Sequence, residues 1–347
     1  MIPFAIGGLQ LNLSGRHSNL DHICDRIEMM LYLYPWVQMV VVSELATFGG
    51  WTGHAQPLPS EAEERYRTLA QRHQIWLLPG SFFEQADGSV YNTAPVIDPQ
   101  GNVIARYRKM FPFLPYESGV EPGAEFCVFD VPGVGRFGVS ICYDMWFPET
   151  SRTLVSMGAE VLLHPTLTAS IDRDVELAIA RATAATNQCF VIDINGVGDG
   201  GIGRSIIVSP MGDVLYEAGH SEEMLPLEID IARVRRSREV GLKGLGQPLK
   251  SFRDRKVEFT VYDRTPESTA YLETLGPLAK MARGSRAGLR GHTSAPGADT
   301  PAPPGSGDVP AGTPPLAEGV DTPDTSVAAP DTPPMPPPPN HPSEVHP

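Results

Sequence analysis

Three residues of this chain have types and settings that packing alone does not explain. Glu44 closes the apolar run of "MVVVSELATFGG", Lys109 separates a strand-like run from the proline-rich loop of "ARYRKMFPFLPYESGVEPG", and Cys142 ends the strand-like "RFGVSIC". A lone cysteine at a strand end reads first as a core thiol. A carboxylate, an ammonium and a thiol at three strand ends make a reagent set, because ligand sites of α/β sheets collect at the carboxyl ends of strands. A free thiol has a pKa of about 8.5 and needs a base or a cation beside it to attack at neutral pH. Glu44 could take the proton, and partial burial moves a glutamate toward a useful pKa. Lys109 could face the oxyanion formed when sulfur attacks a carbonyl carbon, with the backbone N–H of Tyr143 as second donor. That chemistry is acyl transfer through a thioester.

The elements that must position these groups alternate between strand and helix. Residues 4–12, "VQMVVVSE" and "IWLLPGSFFE" read as strands, with helices over "LDHICDRIEMMLYLY" and "SEAEERYRTLAQRHQ", the latter opened by Ser60 and Glu63. "SVYNTAPVIDPQGNVIARYRK" reads as two strands joined by the turn "DPQGN". A helix from Pro148 to about 158 follows the Cys142 strand, then the strand "AEVLLHPT", the helix "RDVELAIARATAATNQ", the strand "CFVIDIN" and the hairpin "RSIIVSPMGDVLYEAG". The mixture predicts an α/β fold with helix-covered sheets. Gly196, Gly198 and Gly201 spell GxGxxG, but a dinucleotide site needs a helix opening at the third glycine, and a hairpin is predicted there.

The segments "VVSELATFG", "YRKMFPFLPYESG" and "GVSICYDMWFPETSR", in that order, resemble the three signature segments of the nitrilase superfamily, the carbon–nitrogen hydrolases. The resemblance runs from residue 4 to about 231. It implies a four-layer α-β-β-α sandwich, a Glu44–Lys109–Cys142 triad with Glu117 as a fourth catalytic residue, no cofactor and no metal, and a homodimer or higher homo-oligomer. It also implies that residues 232–285 form a C-terminal arm of a hydrolase domain spanning 1–285. Cys142-Tyr143-Asp144 is similar to the Cys-x-Asp of amide-hydrolysing members rather than the Cys-Trp-Glu of nitrilases proper. The implied activity is therefore hydrolysis of a small-molecule amide, with nitriles or N-carbamoyl amides as alternatives. Met145 and Trp146 stand where short-chain amidases carry glycine after that aspartate, which leaves ω-amide and carbamoyl substrates open. Tyr116, Tyr143, Trp146 and His164 are the side chains expected against the substrate, His164 being otherwise a structural residue. A non-catalytic interaction protein is disfavoured by the complete triad, and a ligase-coupled glutaminase by the lack of a synthetase domain.

Composition narrows the partners. A net charge of -14 argues against nucleic acid and anionic membranes, and no apolar run approaches the roughly 20 residues of a membrane span. Four dispersed cysteines without a CxxC pair argue against a zinc knuckle. Cys24, Cys127 and Cys189 read as core fillers, and reduced thiols fit a cytoplasmic protein. Glu149 and Arg152, three apart on a helix, read as an ion pair. From Pro296 the chain has no aromatic residue and no lysine or arginine, and the tail 286–347 reads as disordered, proline-rich and acidic.

Overall fold

The computed structural model describes residues 1–280. The tail expected to be disordered lies outside them. Two sheets stack face to face. One runs in the order Glu223–Asp230, Pro3–Gln10, Met39–Val42, Trp76–Leu78, Ser89–Ile97 and Phe82–Ala86, with Val103–Arg108 also paired to Ser89–Ile97. The other runs Val214–Glu217, Ile206–Val208, Phe190–Ile194, Val161–Pro165, Gly135–Val139 and Cys127–Val131. At the centre of each, three strands are parallel.

Strand period explains the layers. Successive side chains of a strand point to opposite faces, so a strand buried on both faces must be apolar throughout. Met39 and Val41 enter the core between the sheets, while Val40 and Val42 face helices Leu20–Leu33 and Glu61–His73. In the second sheet Val161 and Leu163 face the first sheet. Leu162 faces outward, toward the core that includes Leu154 of helix Pro148–Ser156 and Leu177 of helix Asp172–Asn187. Three cores between four layers give the α-β-β-α sandwich. The Pro3–Gln10 strand carries two glycines where neighbours come closest. A Cβ at Gly7 would meet Met30 Sδ at 2.2 Å on the helix side, and one at Gly8 would meet Ile194 Cδ1 at 2.4 Å between the sheets.

The local signals behave as their chemistry requires. Ser60 caps helix Glu61–His73 by accepting from the Glu63 N–H. The glycine-rich "NGVGDGG" makes a short parallel pairing of Val197–Gly198 with Asn12–Leu13 and leads into an antiparallel hairpin. No helix opens at its third glycine. The Glu149–Arg152 ion pair does not form. Arg152 reaches back to the carbonyl of Thr186 and lies over Phe252, while Glu149 accepts from the Tyr262 hydroxyl. Beyond residue 231 the chain forms helices Ala232–Val240, Pro248–Asp254 and Pro266–Glu273, and much of its apolar surface is exposed, Phe252, Phe259 and Leu275 included.

Candidate active site

The carboxyl ends of the central parallel strands of both sheets meet at one place. Glu44 follows Met39–Val42, Cys142 follows Gly135–Val139 and Leu167 follows Val161–Pro165, while Lys109 ends the antiparallel Val103–Arg108. The Glu44 and Lys109 side chains are 3% and 1% exposed. Lys109 Nζ donates to Glu44 Oε1 at 2.8 Å and to Glu117 Oε2 at 2.7 Å. Glu44 Oε1 also accepts from Asn92 Nδ2 at 2.8 Å, and its Oε2 accepts from the Leu167 N–H at 3.0 Å. Asn92 bridges onward to Glu117 at 3.3 Å. Both Glu44 oxygens and two of the three Lys109 ammonium protons are thus engaged, as buried charge requires.

Cys142 sits in a helical turn, Cys142–Trp146, with φ of 46°. A non-glycine residue in that left-handed region is uncommon and collects at functional turns. Its sulfur lies 3.9 Å from the Leu167 carbonyl and 4.0 Å from Thr168 Oγ1. Tyr143 is the second residue of the turn, so its N–H has no acceptor within it. Asp144 clamps the turn: its carboxylate accepts from the Ile141 N–H at 2.8 Å, the Phe111 N–H at 2.8 Å and the Tyr107 hydroxyl at 2.7 Å. One carboxylate therefore ties the Cys142 turn to the chain on both sides of Lys109.

The electrostatics follow from burial. Burial raises the Glu44 carboxyl above the ordinary carboxylate range, with Lys109 pulling the other way. Burial alone would lower Lys109, but the carboxylates of Glu44 and Glu117 outweigh it and keep the ammonium charged. Burial and the Glu44 charge push the Cys142 thiol well up, so the resting sulfur keeps its proton. Burial likewise carries Cys127 up to about 11 and, against the pull of Arg238 and Arg152, Cys189 up to about 12, and neither core side chain has a carboxylate beside it to take its proton.

A 310 Å³ pocket opens at Cys142, and Tyr116, Tyr143 and Trp146 are among its walls. His164 is not. It is buried under the site, its Nδ1 paired with the Ser140 hydroxyl at 2.8 Å, and burial lowers its pKa to about 3. The imidazole thus packs beneath the strand ends and lies outside the pocket lining, unlike the substrate contact expected of it. Asn92, Thr168, Arg173 and Glu176 are site residues that the sequence reading missed. An asparagine inside the strand "SVYNTAPVI" is the one signal available, since asparagine is depleted in strands. Among the described residues Arg173 is the largest fully buried side chain, holding Asp193 with its two terminal guanidinium nitrogens at 3.1 Å and Glu176 at 3.2 Å.

The model of the carbon-nitrogen hydrolase family matches residues 6–239. The chain belongs to that family. This carbon–nitrogen hydrolase is 30% identical over 203 residues to the omega-amidase NIT2 of Homo sapiens, covering 54% of this chain and 72% of that one. It is 32% identical over 216 residues to the 2-oxoglutaramate amidase of Bacillus subtilis, covering 58% and 81%. Among solved structures, Nit3 of Saccharomyces cerevisiae, a member of branch 10 of the nitrilase superfamily, superimposes with a TM-score of 0.64 at 26% identity, covering 68% of this chain and 93% of Nit3. This carbon–nitrogen hydrolase is accordingly an enzyme of the amidase-like branch of the nitrilase superfamily.

Proposed function

We propose that the enzyme hydrolyses a small-molecule amide through a thioester on Cys142. Glu44 takes the thiol proton as Sγ attacks the amide carbon, and the carbonyl π pair moves to oxygen. The Lys109 ammonium and the Tyr143 N–H hold that oxyanion. The tetrahedral intermediate collapses, the C–N bond breaks, and Glu44 returns its proton to the departing ammonia or amine. Water then gives a proton to Glu44 and attacks the thioester. The C–S bond breaks, the acid leaves and Cys142 regains its proton. Glu117 fixes the Lys109 ammonium and the 113–117 loop beside it. The observation that carries this reading is the buried hydrogen-bonded set Glu44–Lys109–Glu117 at the pocket that holds Cys142.

The test is ammonia release from a panel of primary amides. Cys142→Ala is expected to lower kcat by on the order of 10⁴-fold or more for every amide turned over, as loss of a nucleophile does. Retained turnover in that variant sinks the mechanism. The same reading has the enzyme working as a homo-oligomer in the cytoplasm. Exposed apolar side chains from Phe252 to Leu278 support the first part, and four free cysteines support the second.

A further inference from the structure

The pocket beside Cys142 carries a charge preference of its own. Phe113, Tyr116, Tyr143 and Trp146 give it an aromatic wall. Phe113 stacks on Tyr116 with centroids 5.1 Å apart and meets Tyr143 edge-on at 5.0 Å, with Trp146 6.0 Å from Tyr143. The charged side chains of the lining are Asp172 and Glu176. Glu176 is held in place, its Oε1 accepting from Thr168 Oγ1 at 3.0 Å and facing Trp146 Nε1 at 3.5 Å.

Among the described residues, no lysine, arginine or histidine lines this pocket. Arg173, behind Glu176, is 1% exposed and bound to Asp193 and Glu176. Lys109 is shared between two carboxylates. Lys280 is exposed and outside the lining, but its ammonium stands 5.3 Å from the Tyr116 centroid, so that ring already presents a face to a cation. An amide carrying a carboxylate on its acyl chain would lose water there and meet Asp172 and Glu176, the latter already paired with Arg173, with no cation in the pocket lining to receive it. An ammonium in the same place gains aromatic faces and two carboxylates.

We propose that this pocket selects cationic substrates: primary amides whose short acyl chain ends in an ammonium group, taken in preference to the neutral isostere and against the carboxylate-bearing one. The proposal rests on the amidase reading of Cys142. It separates this enzyme from its Bacillus relative, whose named substrate, 2-oxoglutaramate, is an anion.

Three amides that differ only at the chain end test it: 4-aminobutanamide, pentanamide and glutaramate, assayed for ammonia release after subtraction of the enzyme-free rate. The expected order of kcat/KM is ammonium over methyl over carboxylate, each step about tenfold, or roughly 1.4 kcal/mol. Equal rates, or glutaramate fastest, overturn the proposal. Glu176→Gln and Asp172→Asn are each expected to shrink the ammonium-to-methyl ratio several-fold. A ratio unmoved in both, with all three amides falling together, reduces these carboxylates to structural support and also overturns it. Calorimetric titration of the same amides into the Cys142→Ala protein gives the order of binding without turnover. If the wild-type enzyme releases ammonia from none of them, the amidase reading fails, while the binding order still decides charge selection.

Discussion

Cys142 differs from the other three cysteines in its neighbours more than in its burial. All four thiols are pushed up by burial, yet only Cys142 has a carboxylate and an ammonium in the same buried set, at a backbone conformation that aims it into a pocket. Because the resting thiol keeps its proton, attack requires Glu44 ionised. Burial raises the Glu44 carboxyl, and below that raised value it is protonated and cannot accept the thiol proton. The acid limb of kcat/KM is therefore expected to fall at a pH above the ordinary glutamate value of about 4.3. An acid limb at or below that value contradicts the assignment of Glu44 as the base. Glu44→Gln should abolish the limb together with most of the rate, and steady-state kinetics across pH reads both.

At the scale of elements, the site is an arrangement of strand ends, and what joins them matters as much as what they carry. Asp144 is the clearest case, since its one carboxylate collects donors from the Cys142 turn and from both sides of Lys109. Asp144→Ala leaves those three buried donors without their acceptor, at a cost of about 1–3 kcal/mol or more. The expected outcome is a lower urea midpoint and a large loss of kcat with Lys109 and Cys142 still present. A fully active, equally stable variant would remove Asp144 from this role. Helix entry is a smaller matter: Ser60→Ala, which removes the cap on Glu63 N–H, should cost only about 1 kcal/mol and leave kinetics alone, because helix Glu61–His73 faces away from the pocket.

For the molecule as a whole, the core between the sheets is what brings Glu44 and Lys109 from one sheet against Cys142 from the other. Phe137 lies in that core, fully buried, against Phe4 at 5.5 Å and Phe129 at 5.6 Å. Phe137→Ala is expected to destabilise the fold by about 3–5 kcal/mol, seen in chemical denaturation. The arm beyond residue 231 leaves Phe252, Phe259, Tyr271, Leu275 and Leu278 exposed on a single chain. Light scattering on the purified protein should accordingly give a mass above that of one chain, and a monomer with a well-folded arm would refute homo-oligomerisation.

The residue pattern by itself determined helix-covered sheets and the reagents, while the four-layer order was implied only by the resemblance to the family. Runs apolar at every position, such as the one before Glu44, require burial on both faces and so sheets covered by helices, and Glu44, Lys109 and Cys142 stand out because each is a reactive group at the end of a strand. What it left open depends on distance in space. The placement of His164 beneath the site, of Arg152 on Thr186 and Phe252, and of Asn92 between Glu44 and Glu117 is set by which strand end lies beside which, and nothing local encodes that. The charge of the pocket is of the same kind: nothing in the sequence of their helix marks Asp172 and Glu176 as site residues, and only its docking beside the Cys142 turn aims them at the substrate.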